Sequence, residues 1–137
     1  MKFGKVAVAG VAVTVVGMIL GALTCGWLFN WVYKVEPVNV WKPMSGPPGM
    51  DFIARNLALN IIFALSYAIL KKGLPGKCRI QKGAALGLFV WLLGMLPGIN
   101  AMYSFMTVAP VALIYWTILG LIQAPLEGII IAAIYGE

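Results

Sequence analysis

The chain has 137 residues, of which 62% are hydrophobic and 10% charged, with a net charge of +6 and no histidine. An average soluble domain is roughly 45–50% apolar and 25% charged, so a water-soluble fold of this length has too little polar sequence to cover its apolar surface. The mean hydropathy of +0.96 points to lipid as the solvent. At about 20 apolar residues per span the length allows four helices and little else, which predicts a single transmembrane domain over 1–137.

The first apolar run extends from about Val6 to Tyr33. Lys2 and Lys5 ahead of it resemble the opening of a signal peptide, and ALTC at 22–25 resembles a lipoprotein cleavage box. Ala22 stands where that box wants leucine, and Thr24 is larger than its usual occupant, so the expectation is a retained helix. Residues 34–50 form the first loop, where Pro37, Pro43, Pro47 and Pro48 forbid a regular helix. Asp51 is placed to cap the second span, about 51–70, with Arg55 one turn on as its partner. The basic loop 71–82 (KKGLPGKCRIQK) follows, turned by Gly73, Pro75 and Gly76. The third span is expected at about 84–105 and the fourth at about 109–135, with Pro110 as a first-turn proline. The fold class is therefore all-α, an integral membrane four-helix bundle.

Charge placement gives the direction. Five of the ten basic residues (Lys71, Lys72, Lys77, Arg79, Lys82) lie in the 71–82 loop, and Lys2 and Lys5 lie at the N-terminus. Basic residues in alternate loops mark the cytoplasmic side, which predicts both termini inside. The same confinement makes the positive charge an orientation signal rather than a nucleic-acid surface. Trp27, Trp31, Tyr33, Tyr103, Tyr115 and Trp116 then fall towards the outer face as an aromatic belt.

Small residues mark where membrane helices approach closely. Gly120, Ala124, Gly128, Ala132 and Gly136 recur every four residues along the fourth span, and Gly17, Gly21 and Cys25 along the first. Gly83–Gly87 and Gly94–Gly98 repeat the spacing in the third. Packing within one chain and contact between copies are both compatible with these stripes. Pro97 and Pro125 interrupt two spans, each removing a helical hydrogen bond and freeing the carbonyl four residues earlier. Asn-x-x-Tyr occurs at Asn30/Tyr33 and again at Asn100/Tyr103, a weak echo compatible with two duplicated hairpins or with chance.

The few polar residues inside the spans are the functional candidates. Glu127 is the one acidic residue within an apolar span, with Gln123 one turn before it. An unpaired charge at that depth costs about 2.5–3.5 kcal/mol on insertion scales, so Glu127 must face protein or water, or be neutral. Asn56 and Asn60 repeat at the same spacing in the second span. Counting depth along each span predicts a polar ladder: Asn30 with Asn100, Asn60 with Gln123, and Glu127 with Thr14 or Ser66. Such groups serve as interhelical hydrogen bonds, as a ligand or ion site, or as catalysts. One carboxylate without a paired acid or a histidine fits no reaction template. No phosphate-loop or dinucleotide fingerprint is present, the two cysteines form no CxxC, and no metal or cofactor set is apparent.

The strings WLFNWVYKVEPVNVWKP, KGAALGLFVWLLGMLPG and YWTILGLIQAPLEGIIIAAIYG resemble a group of small four-helix bacterial membrane proteins, the DUF1761-type proteins. In those, an aromatic-rich end of the first helix leads into a Trp-basic-Pro segment, and the last helix ends in Gly-rich sequence before a Tyr. Trp41-Lys42-Pro43 and Tyr135 fill those places here. The resemblance implies a bacterial inner-membrane location and no known activity. The reading at this stage is a non-enzymatic protein that has the lipid bilayer as its partner and acts by helix–helix association, as a homo-oligomer or a small subunit of a membrane complex. The alternative is a small oligomeric channel or transporter built on the Glu/Gln/Asn groups.

Overall fold

The computed structural model describes residues 1–42 and 46–136. Pro43, one of the loop prolines and the end of the Trp41-Lys42-Pro43 segment, lies outside the described residues. The chain folds into helices α1 (Phe3–Leu23), α2 (Met50–Leu70), α3 (Arg79–Val90), α4 (Leu96–Phe105) and α5 (Pro110–Tyr135), with no strand among the described residues. A π-helical turn, Thr24–Leu28, extends α1, and another, Trp91–Met95, joins α3 to α4. Among the described residues four helices are long and apolar enough to cross a membrane: Phe3–Leu28, Met50–Leu70, Arg79–Phe105 and Pro110–Tyr135.

Three boundaries differ from expectation for local reasons. The third span starts at Arg79, not near 84, because the Gln81 side-chain carbonyl accepts from the Lys77 amide at 2.7 Å and fixes the turn that opens α3. The basic segment is thus partly loop and partly the first helical turn. The second span is capped by Gly49 rather than by Asp51, which sits in the first turn and pairs with Arg55 at 3.0 Å. The first span leaves α-geometry before Tyr33: Asn30–Lys34 forms a 3-10 turn.

The two prolines are accommodated differently. Pro97 occupies the start of α4, directly after the π-helical turn, so its missing N–H falls where the hydrogen-bond ladder is already shifted. Pro125 lies inside α5, which continues past it to Tyr135.

The helices pack in the order α2–α1–α5–α3. α1 lies against α2 and α5, α5 also touches α2, and α3 packs on α5. The α3–α5 contact is backbone on backbone. A Cβ built at Gly83 or Gly87 would overlap the carbonyls of Gly128 or Ala124, and one at Gly128 would overlap the Gly83 carbonyl. Ala132 packs against Gly83 in the same seam. The α1–α2 contact closes at Gly10, where a Cβ would stand 2.7 Å from Ile61 Cγ1 and 3.0 Å from Ile61 Cα.

The densest core lies at the end of the molecule that carries the basic loop. Val6, Ala9 and Val13 of α1, Ala64 and Tyr67 of α2, Leu86 of α3, and Ile131, Ala132 and Tyr135 of α5 bury one another there. The rings of Tyr67 and Tyr135 meet edge to face at 6.0 Å. The opposite end is held by aromatic side chains instead.

Candidate functional site

Two groups of polar side chains stand between the spans. In the first, Asn60 of α2 donates its amide to Thr14 Oγ1 of α1 at 3.0 Å, and Thr14 in turn donates to the Gly10 carbonyl at 2.8 Å. The close approach at Gly10 and Ile61 carries Asn60 within reach of Thr14. In the second, Gln123 donates to Glu127 Oε1 at 2.7 Å along one face of α5. Gly17 of α1 faces this pair: its Cβ position is 3.3 Å from Glu127 Oε1 and 3.5 Å from Gln123 Nε2. A side chain at residue 17 would push into the pair, so the glycine gives the carboxylate its place beside α1.

These pairings differ from the expected ladder. Glu127 bonds to Gln123 rather than to Thr14 or Ser66, since residues four apart on one helix are already neighbours and no tertiary rearrangement is needed. Thr14 is taken by Asn60. Ser66 returns its hydroxyl to the Ile62 carbonyl, as a serine in a helix commonly does. Asn56 is half-buried one turn before Asn60 and makes no side-chain hydrogen bond among the described residues. Asn30 and Asn100 are both exposed and form no pair. Asn100 instead borders an apolar groove of about 450 Å³ between α4 and α5, walled by Leu96, Ile99, Tyr103, Leu113 and Ile118. The echoed tyrosines diverge as well: Tyr33 is half-buried, while Tyr103 is 69% exposed.

The small residues are also divided. Gly128, Ala132 and Ala124 meet α3, and Gly120 faces Met95 and Trp91. Gly136 lies beside the Lys5 and Arg79 side chains, and among the described residues no atom beyond its own helical turn comes within 4 Å of the Gly21 Cβ position.

An aromatic cluster closes the end opposite the basic loop. Trp116 donates its indole N–H to the Tyr33 hydroxyl at 2.7 Å. Tyr33 also meets Trp41 edge-on at 5.1 Å, and Trp41 meets Trp116 at 5.6 Å. Tyr115 joins through Phe29, at 5.1 Å, and through the Cys25 thiol, 3.4 Å from its hydroxyl. The cluster ties the end of the first span and the following loop onto α5. The buried Trp41 indole nitrogen has no hydrogen-bond partner among the described residues. The belt pattern in the sequence marked three of its members, Tyr33, Tyr115 and Trp116, by depth alone; nothing in it distinguished these, which interlock, from Trp27, which is 73% exposed. Trp116→Phe keeps the ring and removes the donor, so it should lower stability by about 1 kcal/mol, read as a shift in the unfolding midpoint in detergent. An unchanged midpoint would show that the ring contacts alone hold this end.

A third group was missed by sequence reading. Tyr67, Lys71, Lys72, Lys77, Arg79 and Lys82 surround a pocket of about 190 Å³ at the basic end, with Cys78 and Gly136 at its edge. Lys71 Nζ sits 4.9 Å from the centre of the Tyr135 ring. The signal for it lay in Tyr67 and Lys71, one helical turn apart at the end of α2, which turn one face of that helix towards the rest of the basic segment.

Among the described residues no group of three or more His, Cys, Asp or Glu side chains is placed to hold a metal ion. No family model matches the chain, and comparison with curated proteins and with solved structures likewise finds no match.

Proposed function

We propose that this chain is a non-enzymatic, multi-pass protein of the bacterial inner membrane that works by helix–helix association, as a homo-oligomer or as a small subunit of a membrane complex. In this reading its four spans form a bundle with both termini on the cytoplasmic side, in keeping with the basic residues at that end. The resemblance to the DUF1761-type proteins belongs to the same proposal.

The observation that carries it is the uneven use of the third span. α3 spends Gly83 and Gly87 on α5, and Trp91 and Met95 after them reach Gly120, but the face of that segment bearing Gly94 and Gly98 is left open. Among the described residues no atom beyond their own helical turn comes within 4 Å of the Cβ positions of Gly94 and Gly98, and Leu93 beside them is 78% exposed. Small residues four apart next to large apolar ones form a seam on which a second membrane helix packs closely. The stripe on α5 is not free for this purpose, because α3 already occupies it. The test is cross-linking of the full chain in mild detergent. Gly94→Leu with Gly98→Leu should abolish the cross-linked species while helix content stays unchanged, and an oligomer that survives both substitutions would remove this seam from the account.

A second reading, an oligomeric channel or transporter, draws on the placement of Glu127. Its carboxylate has one partner, Gln123, and lies against a glycine rather than a side chain. In proteoliposomes, transport that relies on this carboxylate would be lost in Glu127→Gln. The association reading expects that substitution to leave the oligomer and the basal ion leak as they are.

A further inference from the structure

We infer that the pocket at the basic end is a binding site for the phosphate of an anionic phospholipid. The site and the association seam lie on different parts of the chain, so this inference holds or fails independently of the oligomeric state.

The electrostatic case starts from the sequence. No Asp or Glu occurs between Asp51 and Glu127, so the segment bearing Lys71, Lys72, Lys77, Arg79 and Lys82 supplies no counter-charge of its own. Asp51 is engaged by Arg55 at the other end of α2 and Glu127 by Gln123, which leaves Glu137, the residue after Gly136, as one acidic side chain to set against these five cations and Lys2 and Lys5. Cations gathered around one concavity repel each other unless an anion sits among them.

The local backbone adds to this demand. Arg79 and Lys82 occupy the first turn of α3, where the helix dipole is positive and basic side chains are unfavourable. The Cys78 side chain does not cap the helix. The Arg79, Ile80 and Gln81 amides have no acceptor among the described residues, the first amide in the turn to find one being that of Lys82, which donates to the Cys78 carbonyl. An anion at this place would answer both the charges and the open amides.

The remaining walls shape the site. Lys5, from the start of α1, and Arg79 converge on Gly136, whose Cβ position is 3.4 Å from Lys5 Nζ and 3.8 Å from Arg79 Nη1. Gly136 has φ 71°, a conformation that suits glycine, and it places no side chain of its own between the two cations. The Tyr135 ring holds the Lys71 ammonium by a cation–π contact. At about 190 Å³ the pocket is smaller than small-molecule sites, which run from about 300 Å³ upward, and suits a headgroup.

Its position selects the source of the phosphate. The pocket lies where α2 ends and α3 begins, at the boundary of two membrane-length helices. Ile69, Leu70 and Ile80 are exposed beside it and suit acyl chains, for which a free phosphate has no use. Basic pockets at this level between membrane helices recognise anionic lipid headgroups.

The experiment titrates the full chain in neutral detergent with phosphatidylglycerol, phosphatidylcholine and inorganic phosphate, read by native mass spectrometry and by thermal stabilisation. Phosphatidylglycerol should bind at least about tenfold more tightly than phosphatidylcholine, and Lys72→Gln with Arg79→Gln should weaken it by on the order of thirtyfold. Lys34→Gln with Lys42→Gln, which removes the same charge from the other end, should change nothing. If Arg79→Gln fails to fold, Lys72→Gln with Lys77→Gln is read in its place, with the same expected direction. Equal binding of the two lipids would overturn the inference. So would an equal loss in the Lys34/Lys42 variant, which would indicate diffuse charge, or displacement of the lipid by an equal concentration of inorganic phosphate, which would indicate a free-anion site.

Discussion

Gly87→Ala should unfold the α3–α5 pair, with a loss of about 3 kcal/mol or more, although it adds a single methyl group. The added carbon would meet the Ala124 carbonyl and the Cα of Pro125, all of it backbone, so one of the two helices must shift to admit it. Overpacking in a tight interior, met by side-chain and backbone shifts, typically costs about 1–3 kcal/mol and occasionally more, and here only backbone is present to yield. Two other glycines give the contrast. Gly120→Ala meets the far end of Met95, a flexible side chain, and should cost less than about 1.5 kcal/mol. Gly21→Ala meets nothing and should be neutral or slightly stabilising through helix propensity. Unfolding in SDS followed by circular dichroism should therefore rank the three as Gly87, Gly120, Gly21 in order of damage. Equal midpoints for Gly87→Ala and Gly21→Ala would mean that α3 does not pack on α5 by this seam.

Gln123→Leu should cost about 2 kcal/mol, more than the bond it removes is worth. The Gln123–Glu127 contact itself belongs with intramembrane hydrogen bonds that average about 0.6 kcal/mol. Its loss, however, leaves the Glu127 carboxyl facing Gly17 with no partner, and an unsatisfied buried polar group costs about 1–3 kcal/mol. Removing both groups should be milder than removing the glutamine alone. Gln123→Leu with Glu127→Leu is expected to recover at least half of the lost stability, and the double-mutant cycle measures the coupling directly. Additive losses would show that the two side chains act separately, and that something other than Gln123 satisfies the carboxyl.

Much of the chain's organisation follows from hydropathy alone. Four runs of sufficient length, broken by Pro- and Gly-rich segments, place four membrane-length helices within a few residues of where they form. The exceptions arise where a side chain rather than a hydropathy pattern decides. Gln81 starts α3 early by reaching back to the Lys77 amide, and the approach of Gly10 to Ile61 gives Thr14 to Asn60. Neither event is written in composition or period.

The candidate site was legible as a set of residues but not as a set of pairs. Glu127, Gln123, Asn60 and Thr14 stand out as polar positions in apolar runs, and those four do lie between the helices in two bonded couples. Depth counting paired them wrongly because it treats each helix as straight and gives no rotation about its axis. The small-residue stripes carry the same ambiguity: spacing shows that a helix has a close-contact face without showing which neighbour uses it. On α5 that neighbour is mainly α3, and faces are left open at Gly94 and Gly98 and at Gly21. The basic segment was read for orientation only, since the pocket also depends on Tyr135 and Gly136, which are distant in sequence from the cations.

The association reading is tested most directly by extracting the full chain from its native membrane into polymer-bounded lipid discs and measuring the mass of the protein they contain. The account predicts a species heavier than one 14.7 kDa chain, either a multiple of that mass or a defined complex with other subunits. It also predicts that Gly94→Leu with Gly98→Leu returns the mass to that of a single folded chain. A wild-type protein that leaves the membrane as one chain, with nothing bound but lipid, would contradict it.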